Sequence, residues 1–188
     1  MDSYFNFKIS DRGVLSKQSL EHHILSYADA CNFVKKLPYG RNFDRTDFSL
    51  VLKEQKGTCS SKHAFLKQLA VENNLGAISL CIGIYKMNAI NTFGVGSVLE
   101  KYQLAYLPEA HTYLKYKDAI FDFTSTNASD AFYASVIYEE KIEAEQVGDY
   151  KVNLHQQFLK SWIEENDIPH SFEELWKIRE DCILALSQ

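Results

Sequence analysis

At Gly76 the periodicity of the chain changes, and that change limits the fold class. Before it, Leu20, Ile24, Tyr27, Ala28, Cys31 and Val34 recur at helical spacing. They predict one amphipathic helix from about Ser16 to Lys36, ended by Pro38 and Gly40. Thr46 is placed to cap a short helix from Asp47 to Gln55, closed by Gly57. Thr58 to Asn73 then continues as a further helix, with Ala64, Leu66, Leu69 and Ala70 as its apolar face. Beyond Gly76, Ala77 to Tyr85 reads as a buried strand and Asn88 to Gly96 as a loop. Leu104 to Leu107, Thr112 to Tyr116, Ala119 to Thr124 and Ile137 to Val147 are strand-like. Val152 to Glu165 and Phe172 to Leu186 read as closing helices, and Ser171 with Glu174 fits a capping box. Helices, then a run of antiparallel strands, then helices predict an α+β fold.

The chain of 188 residues is long enough to bury a core without disulfide staples, and no linker or repeat divides it, so a single domain over 1–188 is expected. Its net charge of -5 carries no basic stripe, which argues against a nucleic-acid partner. Met1-Asp2-Ser3-Tyr4-Phe5 has neither a basic nor an apolar leader pattern, so no secretory signal is expected. The longest apolar run, Ala77 to Tyr85, is too short to span a bilayer. A soluble, cytoplasmic protein without a membrane partner follows as the expectation. In such a reducing compartment Cys31, Cys59, Cys81 and Cys182, which form no CxxC pair, are expected as free thiols.

Cys59 stands apart from the other three. Gly57 stops one element, Thr58 caps the next, and Cys59 opens the helix. A thiol there meets the positive end of the helix dipole, which favours thiolate. Further on, Glu109-Ala110-His111 and Asp122-Phe123-Thr124 sit on two runs that read as neighbouring strands. If their connection is centred between Tyr116 and Lys117, His111 faces Asp122, with Cβ atoms roughly 4.5–5.5 Å apart. That register also separates Tyr113 and Ile120 from Leu114, Ala119, Phe121 and Phe123 on the other face. A thiolate, an imidazole that exchanges its proton, and a carboxylate that fixes the imidazole tautomer form a nucleophilic triad.

The order of these motifs resembles the transglutaminase-like superfamily, which shares its core with papain-like cysteine proteases. Gly57-Thr58-Cys59, His63-Ala64, His111-Thr112-Tyr113 and Ile120-Phe121-Asp122-Phe123-Thr124 carry the resemblance over roughly the middle third of the chain. Leu37-Pro38-Tyr39-Gly40-Arg41-Asn42 looks like a bacterial single-domain subfamily of unassigned activity. The resemblance implies a papain/transglutaminase-like core, with the nucleophile helix packed on an antiparallel sheet and helices flanking it at both ends. It also implies a Cys59 nucleophile, a His111 acid/base and an Asp122 orienter. The expected activity is that of a thiol hydrolase or acyltransferase on amide (peptide or glutamine-type) or thioester bonds, through a thioester intermediate and without a cofactor. Its expected partner is a peptide or small-molecule amide substrate, and no oligomeric state is implied.

Two departures shape that expectation. Papain-like enzymes place an oxyanion glutamine six residues before the cysteine, where this chain has Lys53; Gln55 is nearby in another register. The extra domains of the large calcium-dependent transglutaminases are also missing, so protein cross-linking is less expected than hydrolysis or acyl transfer.

Other residues have alternative readings. Tyr39, Arg41 and Asn42 follow a turn proline and are candidates to line a substrate cleft, Arg41 by binding a carboxylate. Cys59, His63 and His111, with Asp122 as a fourth or supporting group, are alternative zinc ligands. The C-x3-H spacing alone is a weak metal signal, and His63 reads more simply as a helix residue that packs or hydrogen-bonds. A noncatalytic, peptide-binding domain of the same fold is the other alternative. Gly94-Val95-Gly96 lacks the Lys-Ser/Thr of a phosphate loop, and Trp162 and Trp176 read as core.

Overall fold

The computed structural model describes residues 7–117, 119–128 and 130–186. Met1 to Phe5, where no secretory signal was expected, and Asp118, in the expected hairpin connection, lie outside these residues. Among the described residues the chain is α+β, with seven α-helices and a four-stranded antiparallel sheet. The helices are α1 (Val14–Glu21), α2 (Tyr27–Lys36), α3 (Leu50–Lys53), α4 (Cys59–Glu72), α5 (Gly96–Lys101), α6 (Asp149–Glu165) and α7 (Phe172–Ala185). The strands are β1 (Ser79–Met87), β2 (Leu107–Tyr116), β3 (Ala119–Phe121) and β4 (Val136–Ile142), in the order β3-β2-β1-β4. No helix among the described residues is long and apolar enough to cross a membrane.

The chain divides into two compact units. The first comprises the described residues of Met1–Cys81, Thr112–Ala128 and Lys141–Gly148. It holds α1 to α4, β3 and a 3-10 turn, Ala144–Val147. Within it α4 packs against α1, α2, α3 and that turn. The second comprises the described residues of Ile82–His111, Ser129–Glu140 and Asp149–Gln188, where α7 packs against α5 and α6.

Where one helix was expected from Ser16 to Lys36, the chain forms two. His23 turns into the left-handed region at φ 59°, and Ser26 starts α2 with a reciprocal capping box. The Asp29 N–H donates to Ser26 Oγ at 3.1 Å, and the Ser26 N–H donates to Asp29 Oδ2 at 3.1 Å. Local capping at Ser26 therefore wins over the apolar spacing that runs through it. Replacing Ser26 with alanine is expected to cost about 1 kcal/mol, the usual value of such a cap. A urea unfolding midpoint unmoved by the substitution would show that the box contributes nothing.

The start of α1 is capped from a distance. Its first residue follows Gly13, and Glu72 at the far end of α4 supplies the acceptor. The Leu15 N–H donates to Glu72 Oε1 at 3.1 Å, and the Ser16 N–H donates to Oε2 at 2.7 Å. A Cβ at Gly13 would overlap Glu72 Cδ, so glycine provides the room for this carboxylate.

The other differences from the sequence expectations are local. Leu107 to Tyr116 forms one strand where two were expected, and the short helix begins at Leu50 rather than Asp47. The strand expected over Ile137 to Val147 ends at Ile142, and a 3-10 turn takes its last residues. β2 pairs with β3 through Leu114–Phe121, Lys115–Ile120 and Tyr116–Ala119. These pairs are shifted by two residues from the expected register. Because side chains alternate with a period of two, the shift preserves which residues share a face. The direct opposition of positions 111 and 122 belonged to the unshifted register and is not among the observed pairs.

Candidate active site

Cys59 is the first residue of α4, and the reason is chemical. Thr58 is extended at φ -87° and ψ 176°, and a capping box joins it to Ser61. The Ser61 N–H donates to Thr58 Oγ1 at 3.4 Å, and the Thr58 N–H donates to Ser61 Oγ at 3.0 Å. This fixes Cys59 in the first turn, where the helix dipole favours an anion. The thiol is nearly enclosed, with Cys59 8% exposed. Its Sγ lies 4.0 Å from Ser60 Oγ, which in turn lies 3.5 Å from Thr112 Oγ1 on β2.

The helix that follows buries polar side chains beside its apolar ones, Ala64, Phe65, Leu66, Leu69 and Ala70. Ser61, Lys62, His63 and Lys67 are buried, whereas the apolar Val71 is exposed. A buried lysine is tolerated only when its ammonium finds acceptors. Lys62 donates from Nζ to Leu37 O and Thr124 O, each at 2.6 Å. Lys67 donates to Ile78 O at 2.7 Å and Gly76 O at 3.4 Å. Burial pulls the Lys62 ammonium down to about 8, while the charges of Asp122 and Cys59 act to raise it. Gly57 makes room for this lysine, since a Cβ there would meet Lys62 Cγ at 2.8 Å.

His63 is fully buried with both ring nitrogens engaged. Nδ1 lies 2.8 Å from Cys59 O, and Nε2 accepts the Phe123 N–H at 2.8 Å. An acceptor Nε2 requires its lone pair, so the ring is the neutral tautomer with its hydrogen on Nδ1, donating to Cys59 O. Asp122 Oδ1 lies 3.6 Å from the same Nε2 and accepts the Thr124 N–H at 2.8 Å. His63 is thus a hydrogen-bonding helix residue, as its simpler reading held. A zinc ion would have to displace one of its two partners. Among the described residues no three His, Cys, Asp or Glu side chains group to hold a metal.

The remaining candidates are placed as follows. Cys59, His63 and Asp122 belong to the first unit. His111, on β2, belongs to the second, where its ring packs edge-on against Phe132 at 4.7 Å and Tyr85 at 6.1 Å. Tyr39 forms a parallel bridge with Gly57, so the loop after α2 runs beside the approach to Cys59. Arg41 is exposed. Asn42 is buried, and its Nδ2 reaches Leu50 O, Glu54 Oε2 and Lys56 O at 3.3, 3.0 and 3.2 Å. Gln55 adopts a left-handed backbone at φ 53°, and its side-chain amide donates to Leu52 O at 2.5 Å.

All four cysteines are buried, and none is in a disulfide. Burial pushes Cys31 well above the ordinary thiol range and Cys182 up to about 12.

Two polar features escaped the sequence reading. Lys62 was hidden because a lysine on a helix is ordinarily read as solvated; its one signal was its position three residues after Cys59, on the same side of the helix. The other is a buried cluster in the second unit. Arg179 grips Glu109 in a bidentate pair, Nε to Oε2 at 2.9 Å and Nη2 to Oε1 at 2.8 Å. His155 Nε2 donates to Pro108 O at 2.8 Å and lies 3.9 Å from Glu109 Oε2. No protein-family model, curated protein or solved structure matches the chain.

Proposed function

We propose that this chain is a cytoplasmic, transglutaminase-like thiol hydrolase or acyltransferase with a papain-like core, acting on peptide or small-molecule amides or thioesters. The observation that carries this reading is Cys59 as the first residue of a capped helix, three residues before a buried, charged lysine. Asp122, held by the Thr124 N–H, and His111 enter as orienter and acid/base through the order of their sequence motifs.

In this reading the Cys59 thiolate attacks the substrate carbonyl carbon. The resulting oxyanion is met by the backbone N–H of Cys59 at the first turn of α4. Collapse breaks the C–N or C–S bond, and the leaving amine or thiol takes the proton from His111. A water or an amine then gives its proton to His111, attacks the thioester carbonyl and releases Cys59.

The test is the pH dependence of iodoacetamide alkylation, read residue by residue by mass spectrometry. Cys59 is expected to label rapidly well below the free-thiol value of about 8.5. Cys31 and Cys182, with thiols raised by burial, serve as slow internal references. The low-pH reactivity is expected to disappear in His111→Ala. If Cys59 labels no faster than the references, the thiol-enzyme reading falls and a noncatalytic binding domain takes its place.

A further inference from the structure

We infer that Lys62 is a positioning residue for the Cys59 chemistry: it locks the Asp122–Thr124 segment and the Leu37 carbonyl onto α4 and sets a fixed positive charge beside the nucleophile. The inference rests on the thiol reading above and adds to it a group that the triad does not contain.

Four observations meet at this side chain. Lys62 is completely buried, yet both of its acceptors are main-chain carbonyls, Leu37 O and Thr124 O at 2.6 Å. Neither acceptor is a carboxylate, so the ammonium's charge is not neutralised by a direct ion pair at those contacts. Its field acts on the two groups that the mechanism needs charged, Asp122 and Cys59. The neighbouring His63 holds the same segment one residue earlier, by accepting the Phe123 N–H at 2.8 Å. Consecutive side chains of α4 thereby fix consecutive residues of the segment, and the Thr124 N–H between them orients the Asp122 carboxylate at 2.8 Å. Finally, Gly57 leaves the space that the Lys62 stem fills, with 2.8 Å from a notional Cβ to Lys62 Cγ.

A purely structural filler would not require this arrangement, because an apolar side chain in the same volume avoids the cost of burying an ammonium. The retained charge does something a methionine does not: it favours the anionic forms of a nearby thiol and carboxylate.

The experiment compares the Cys59 alkylation profile in the full-length wild type, Lys62→Met and Lys62→Arg, with thermal unfolding alongside. In Lys62→Met the rate near pH 6.5 is expected to fall about tenfold, the effect of raising a thiol's pKa by about one unit. The whole profile is expected to move to higher pH. Lys62→Arg, which keeps the charge, is expected to recover most of the reactivity. Lys62→Gln, which keeps an N–H donor without the charge, is read in the same way should the methionine variant fail to fold. A fast wild type with an unmoved profile in the neutral variants, whatever their melting temperature, overturns the role of Lys62 and leaves the thiol reading standing. A slow wild-type Cys59 overturns both.

Discussion

Replacing Arg179 with methionine is expected to cost about 3–5 kcal/mol of stability, the range seen when one partner of a buried ion pair is removed. The pair is bidentate, with contacts of 2.9 and 2.8 Å, and the Glu109 side chain is only 7% exposed. Burial alone would raise the Glu109 carboxyl; the Arg179 guanidinium and, behind it, His155 reverse this and hold it below the usual carboxylate range. Without Arg179 the carboxylate is left in the interior with only weaker company. The companion variant Glu109→Gln with Arg179→Met removes both charges and is expected to recover part of the loss. Equal stability of wild type and Arg179→Met in urea would refute the assignment.

The pH dependence of that loss carries a sign. In the wild type the Glu109 pKa is depressed, so the unfolded chain binds its proton first as pH falls. Its contribution is complete above the unfolded value of about 4.3 and is lost as pH drops through the folded value. His155 is also depressed, chiefly by burial, so acidification below about 6.5 favours the unfolded chain there as well. In Arg179→Met the Glu109 carboxyl moves upward instead. The variant's deficit is therefore expected to shrink as acid protonates that carboxyl in the folded state.

His63→Leu is expected to lose about 2–3 kcal/mol despite a similar volume. The substitution strands the buried Phe123 N–H, a group whose unpaired burial costs about 1–3 kcal/mol, and deletes the bond to Cys59 O. Amide hydrogen exchange at Phe123 reads the effect directly. The wild-type amide is expected to be protected and the variant's to exchange far faster. Unchanged protection together with unchanged stability would show that His63 is a space-filler.

How much of this was legible in the sequence follows the range of the interactions. The helix that opens at Cys59 was readable because Thr58 and Ser61 act within one turn of it. Ser171 with Glu174, likewise local, marked the start of α7 correctly. Ser26 and Asp29 form a box of the same kind, but the apolar spacing from Leu20 to Val34 masked it. Register failed for a different reason. Tyr116 to Ala119 has weak turn chemistry, so nothing local distinguishes the observed pairing from one shifted by two. Lys62 and the Glu109–Arg179 pair were invisible because their partners are distant in the chain. Glu109 and Arg179 are separated by 70 residues, and no pattern of spacing links them.

The polar side chains that α4 buries also bear on the order of folding. The apolar side chains of the helix, Ala64, Phe65, Leu66, Leu69 and Ala70, give it a face to collapse on, but Lys62 and His63 depend on backbone groups delivered from far along the chain. Lys62 meets Leu37 across 25 residues and Thr124 across 62, while His63 meets Phe123 across 60. Closing such spans costs chain entropy before any contact repays it, which places these contacts late in folding. A nascent chain that has emerged only as far as β3 therefore holds Cys59 on a helix whose Lys62 and His63 each lack one of their two partners. The surroundings of Lys62 and His63 are complete only once Phe123 and Thr124 arrive, so the capped helix that begins at Cys59 is not a portable cassette, and fragments that stop short of them leave both side chains a partner short.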